Sequence, residues 1–236
     1  MCGRTTLFAL LEDVEERFDA SFAYDYAPRY NVAPGDPGLP TIRNEAPEGI
    51  EQCYWGLIPG WVEDRTDWPE PINARAESVA DKPSFREAFR RRRCLVLADG
   101  FYEWTGPSGS RRPHHITVDD GDPFAMAGLW ESWNGGEENG GEENGDELTS
   151  VTILTTEAND VVGQLHDRMP VILDHGEEET WLESEDADDL QAILDPFPDD
   201  RMDTHEVTTA VNNPATDGPE LVEPVGSSQT GLGEFG

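Results

Sequence analysis

Apolar residues in this chain come in runs no longer than a β-strand, and most runs are bounded by glycine, proline, asparagine or aspartate. Such a chain can build its core mainly from short strands, because a helix needs apolar residues recurring every three or four positions over a longer stretch. IEQCYWGLIP (50–59), CLVLADGFYEWT (94–105, interrupted at Asp99-Gly100), PHHITVDD (113–120), FAMAGLWESW (124–133), SVTILTTEA (150–158), PVIL (170–173) and THEVTTAVNN (204–213) read as strands. Helical spacing is confined to the margins. Leu7, Leu10, Leu11, Val14 and Phe18 share one face over 7–18, and a second helix is predicted between Pro83 and Arg93, opened by a Ser84-x-x-Glu87 capping box. Two short acidic helices are predicted near 176–184 and 186–194, and YDYAPRYNVAPGDPG (24–38) reads as a loop. The pattern predicts an α+β class, one domain over 1–225 with an antiparallel barrel or sandwich core. NGGEENGGEENGDE (134–147) can bury nothing and is expected to be a flexible acidic insertion between two strands, with 226–236 a disordered tail.

Charge bears on partners. The formal net charge is -34, and Lys82 is the only lysine. A surface this acidic repels phosphate at long range. It also marks proteins from organisms that keep molar salt in the cytoplasm, where a Debye length of about 3 Å erases long-range steering. The placement of individual arginines then says more than their sum. Cys2, Cys53 and Cys94 have no spacing that suits a disulfide framework or a zinc site, and His114-His115 would face opposite sides of a strand. No metal or cofactor is expected. With no leader, lipidation motif or membrane-length apolar run, the expectation is a cytoplasmic, monomeric protein that engages no membrane.

Four stretches carry more polar chemistry than a strand needs: MCGR at the start, PINARAE (71–77), LADGFYEW (97–104) and LHDRMPVIL (165–173). Once Met1 is removed, Cys2 joins a free α-amine to a thiol, with reference pKa values of about 7.7–8.0 and about 8.5. Both are then partly nucleophilic near neutrality, and the pair can condense with an aldehyde to a Schiff base and on to a thiazolidine. Glu103, between Tyr102 and Trp104, has the setting of a desolvated carboxyl suited to proton transfer, or of a strand residue facing water. His166 can shuttle a proton and Arg168 can hold a phosphate, though a polar turn would look the same. Asn73 and Arg75, two apart in an extended segment, share a face. Arg90 to Arg93 read mostly as a solvated face paired with Glu87.

Taken in order, MCGR, RYNVAP (29–34), YWGLIPGW (54–61), INARAE (72–77), RCLVLADGFYEW (93–104), HDRMPVIL (166–173) and VTTAVNN (207–213) resemble the abasic-site processing, or SOS response-associated peptidase, family. The resemblance implies a mixed α+β domain with a barrel-like β core and peripheral helices. It also implies binding of single-stranded DNA containing an abasic site, whose exposed aldehyde is trapped by the N-terminal cysteine as a thiazolidine crosslink. Matching positions make Cys2 the nucleophile, Asn73 the group orienting its amine, Glu103 the acid–base residue and His166 its assistant. Arg4, Arg75 and Arg168 match backbone-holding positions. Asn31, Pro34, Trp61 and Thr155 match the pocket and the surface for flanking bases. Met1 self-removal and lyase activity also belong to the implied repertoire. Leu97 departs from the pattern, which has proline there, and so does the 134–147 insertion. Two other readings use the same residues: an N-terminal-nucleophile peptidase or amidase, and a non-covalent reader of modified bases.

Overall fold

The computed structural model describes residues 3–107, 109–135 and 147–226. In chain order the strands are β1 (Thr5–Leu7), β2 (Ser21–Phe22), β3 (Arg29–Val32), β4 (Leu39–Arg43), β5 (Ala46–Trp55), β6 (Asn73–Arg75), β7 (Arg93–Ala98), β8 (Gly100–Thr105), β9 (Arg112–Val118), β10 (Phe124–Trp133), β11 (Leu148–Glu157), β12 (Arg168–Pro170), β13 (Ile172–Leu173) and β14 (Met202–Glu206). The helices are α1 (Leu11–Phe18), α2 (Arg86–Arg91), α3 (His175–Glu183) and α4 (Ala187–Ala192).

Two sheets result. One has the order β14-β9-β8-β1-β3; the other runs β12-β11-β10-β7-β4-β5-β2, with β13 on β10 and β6 on β11. In the larger sheet β5 also pairs with β11 in parallel, through Tyr54↔Ser150 and Trp55↔Val151. The pairings β5–β4–β7–β10–β11 thereby return to β5, and the core is a barrel-like ring of mostly antiparallel strands.

Side-chain alternation explains why β7 and β10 are buried on both faces. Cys94, Val96, Ala98, Phe124, Met126 and Trp130 join Phe101 and Ile116 of the smaller sheet in one apolar cluster. Leu95, Leu97, Ala125, Ala127 and Leu129 face the other way, toward Val14 of α1, Phe89 of α2 and Trp181 of α3. Leu97 is simply a member of this second cluster.

Several boundaries differ from the sequence reading. Leu7 belongs to β1, between β8 and β3, so α1 starts only at Leu11 and leaves Leu10 62% exposed. The loop at 24–38 contains β3, and β4 is an additional strand. The Ser84-x-x-Glu87 capping box does not form. The carbonyl of Lys82 already accepts from the N–H groups of Phe85 and Arg86, which places Ser84 inside the turn, and Glu87 pairs with Arg91 at 3.1 Å. The last strand is β14, and THEVTTAVNN breaks after Glu206 into a short turn. Most of the 134–147 insertion and of the 226–236 tail lies outside the described residues, as does Cys2. Among the described residues no helix is long and apolar enough to cross a membrane, and no group of metal-ligating side chains occurs.

Candidate functional site

The chain passes between the two sheets at Asp99, where β7 ends and β8 begins. On β8, Tyr102 and Trp104 turn to a small cluster with Val207, Val211 and Leu221, whereas Phe101 joins the core between the sheets. Glu103 alternates with Tyr102 and shares the Phe101 face, where it is 2% exposed. Burial pushes its carboxyl above the ordinary carboxylate range, and the nearby His166 pulls it back in part. A carboxyl held above its ordinary range by burial is suited to giving up and accepting a proton in general acid–base work.

β1 runs antiparallel to β8 with Thr5 opposite Phe101, and the N–H of Tyr102 donates to the Arg4 carbonyl at 3.0 Å. Continued in that register, Gly3 falls opposite Glu103.

A second group forms around β11. Its Thr155, 1% exposed, is paired with Arg75 of β6 and with Pro170 of β12. Asn73 opens β6 opposite Ile153 and is half-buried, while Arg75 is exposed. Arg168 donates through its fork to both Glu77 oxygens, at 2.5 and 2.9 Å, and to the Thr155 carbonyl at 2.5 Å. His166 Nδ1 accepts the Arg168 backbone N–H at 3.0 Å, which in the neutral ring leaves the proton on Nε2. Asp167 Oδ1 stands 2.9 Å from the same Nδ1, the partner for a protonated ring.

Arg4 centres a third group. Its Nη1 donates to Asn31 Oδ1 and to the Val211 carbonyl, both at 2.6 Å, and its guanidinium lies 6.0 Å from the Trp104 ring. The Asn31 amide donates to the carbonyls of Val211, Asn213 and Thr216, so this buried side chain ties down the segment after β14. Arg4, Trp104, Arg111, Thr209 and Asn212 line a cleft of about 830 Å³. Burial lowers the Arg4 pKa, yet a guanidinium remains charged at any working pH.

The structure thus links Glu103 with His166, Thr155 with Arg75 and Arg168, and Arg4 with Asn31. Pro34 and Trp61 stand apart on the surface; Trp61 is 65% exposed and meets Trp68 edge-on at 5.0 Å. Sequence reasoning passed over Glu77, the carboxylate that holds the Arg168 fork. The signal was the alternation Arg75-x-Glu77 within one motif. It also passed over Asp99, whose position at the strand break was visible but whose partners were not.

Comparisons with known proteins bear on the chain as a whole. The family described as SOS response associated peptidase (SRAP) matches residues 1–214. The abasic site processing protein YoqW of Bacillus subtilis is 39% identical over 229 residues, covering 94% of this chain and 99% of its own. The abasic site processing protein YedK of Escherichia coli is 31% identical over 235 residues, covering 95% and 100%. A crystal structure of a protein from Bacteroides thetaiotaomicron superimposes with a TM-score of 0.82 at 28% identity, covering 94% of this chain and 99% of that one. The chain belongs to the SOS response associated peptidase family.

Proposed function

We propose that this protein captures abasic sites in single-stranded DNA through Cys2, after Met1 has been removed. The α-amine attacks the aldehyde of the ring-opened sugar; water leaves and a Schiff base forms. The Cys2 thiolate then adds to the imine carbon, the nitrogen takes up the proton, and a thiazolidine closes. On this reading Asn73 orients the amine, Glu103 handles the proton in ring opening and dehydration, and His166 assists. Arg4, Arg75 and Arg168 hold the backbone, with Arg168 shared between phosphate and Glu77. Thr155, Asn31 and Pro34 shape the surroundings, and Trp61 offers a face to a flanking base, a contact worth roughly 1–3 kcal/mol. Lyase action on the lesion and self-removal of Met1 use the same groups.

The observation that carries this reading is the β1–β8 register, which brings Arg4 to Tyr102, the neighbour of a buried carboxyl of raised pKa, Glu103, with a histidine nearby. The acidic surface belongs with a molar-salt cytoplasm. If about four phosphates are neutralised, a twentyfold rise in salt costs a single-strand binder roughly 3–4 decades of affinity. A covalent bond, once closed, escapes that loss.

The test is a denaturing gel. Processed protein, its lack of Met1 verified by mass spectrometry, is incubated in concentrated potassium chloride with an oligonucleotide carrying one abasic site. Wild type is expected to give a band that survives denaturation, and Cys2→Ala none. Folded, processed protein that forms no adduct would sink the proposal. Turnover of a peptide substrate would then favour the amidase reading, and equal binding by Cys2→Ala the base reader.

A further inference from the structure

β1 is three residues long, and two of them, Thr5 and Thr6, are buried polar side chains; only Leu7 enters an apolar cluster. Apolar packing therefore does little to fix how far this strand slides along its neighbours. Hydrogen bonds do that work, and they converge on one residue. Asp99, 1% exposed, accepts the N–H of Phe8 at 2.5 Å, the N–H of Ala9 at 2.8 Å and the Thr6 hydroxyl at 2.6 Å. Its own N–H donates to the Thr6 carbonyl at 3.0 Å. From the other side, the Tyr26 hydroxyl stands 2.7 Å from the Ala9 carbonyl and 3.2 Å from that of Leu7.

The neighbouring glycine serves the same junction. A Cβ on Gly100 would lie 2.2 Å from His115 Nε2 and 2.9 Å from Thr6 Oγ1. Only a glycine lets His115 approach Thr6, whose hydroxyl sits 3.4 Å from Nε2 while it donates to Asp99. The Asp99-Gly100 break is thus a socket for the first strand.

We propose that Asp99 is a positioning residue: it sets the register of β1, and through it the place of the reacting N-terminus against Glu103. The inference rests on the reading of Cys2 given above. A one-residue slip moves a strand by about 3.4 Å and turns every side chain to the opposite face. A misplacement of about 1 Å can already cost on the order of 100-fold in rate. Asp99 touches neither DNA nor the aldehyde in this scheme; it acts on the strand that carries the nucleophile.

The experiment compares wild type with Asp99→Asn, Thr6→Val and Thr6→Ser, the last keeping the hydroxyl. Four quantities are read: melting temperature, hydrogen exchange at the Phe8 and Ala9 amides, crosslinking rate at saturating abasic oligonucleotide, and affinity for the same strand carrying tetrahydrofuran, which has no aldehyde. Asp99→Asn and Thr6→Val are expected to exchange faster at those amides and to crosslink about 10- to 100-fold more slowly. Affinity for the tetrahydrofuran strand should stay within about twofold, and Thr6→Ser should crosslink like wild type. Should Asp99→Asn fail to fold, Thr6→Val carries the test alone. Unchanged exchange, an unchanged crosslinking rate, or loss of affinity in step with rate would each overturn the proposal. Absence of an adduct from wild type itself would instead overturn the reading of Cys2 on which it rests.

Discussion

His115 shows how far one residue can depart from its solution chemistry. It is buried beside Thr6, Tyr102 and His205, and burial pushes its pKa from 6.5 down to about 3, with His205 adding to the effect. The unfolded chain takes up this proton near pH 6.5 and the folded one refuses it until about pH 3. Between those values the unfolded state binds more protons, so stability is present above pH 6.5 and drains away as pH falls. From pH 7 to 4.5 the loss is about 3 kcal/mol at about 1.4 kcal/mol per pH unit. His115→Gln should abolish that part of the acid limb, read as a smaller difference between urea denaturation curves at the two pH values. Equal acid sensitivity in the variant would show the histidine is not responsible. At this scale legibility was uneven. Glu103 and Arg75 announced themselves through aromatic neighbours and alternation. Glu77 shared that alternation but was passed over, as was Asp99, because their partners Arg168 and Thr6 lie 91 and 93 residues away.

Between elements the clearest joint is Arg93, which sequence reasoning had placed in a solvated basic run. Arg91 does pair with Glu87 and Arg92 with Glu131, but Arg93 is buried. Its guanidinium donates to the carbonyls of Phe89 and Arg90 at the end of α2, and to those of Trp181, Leu182 and Ser184 at the end of α3. One cation thus satisfies the carbonyl ends of two helices, where the helix dipole favours positive charge. A lysine cannot span that fork. Arg93→Lys should lose about 2–4 kcal/mol in chemical denaturation, since several buried carbonyls lose their donors. A loss under about 0.5 kcal/mol would mean water replaces the fork. Strands such as β10 and β11 were legible because both ends carry turn residues and their patterns fill both faces. α1 was misread at its start because Leu7, helical in spacing, is claimed by the sheet. Local pattern could not weigh that competition.

Over the whole molecule, 50 acidic residues face 16 basic ones. Arg17, Arg29, Arg43, Arg65, Arg112 and Arg201 are each met by a carboxylate, which leaves most acids facing one another across water. Screening that repulsion should stabilise the fold more than it weakens the exposed pairs. A gain of about 3 kcal/mol between about 0.1 and 2 M potassium chloride would raise the melting temperature by roughly 6–12 °C for a domain of this size. A midpoint that falls with salt would refute the argument. Class and single-domain organisation were readable from the strand count and turn chemistry. A barrel-like core was expected too, but not which strands close it, because the seam joins segments about a hundred residues apart and nothing local encodes that pairing.

That seam also has a consequence in time. β4 with β5, and β10 with β11, are neighbours along the chain and can zip as hairpins at small entropic cost. The pairing of Tyr54 with Ser150 joins segments 96 residues apart and closes a far longer loop. β6, which carries Asn73 and Arg75, pairs with β11 immediately beyond it, at Ile153 to Thr155. The strand that furnishes one wall of the candidate site thus finds its ladder partner about eighty residues further along the chain, so its pairing closes a long loop where the hairpins close short ones.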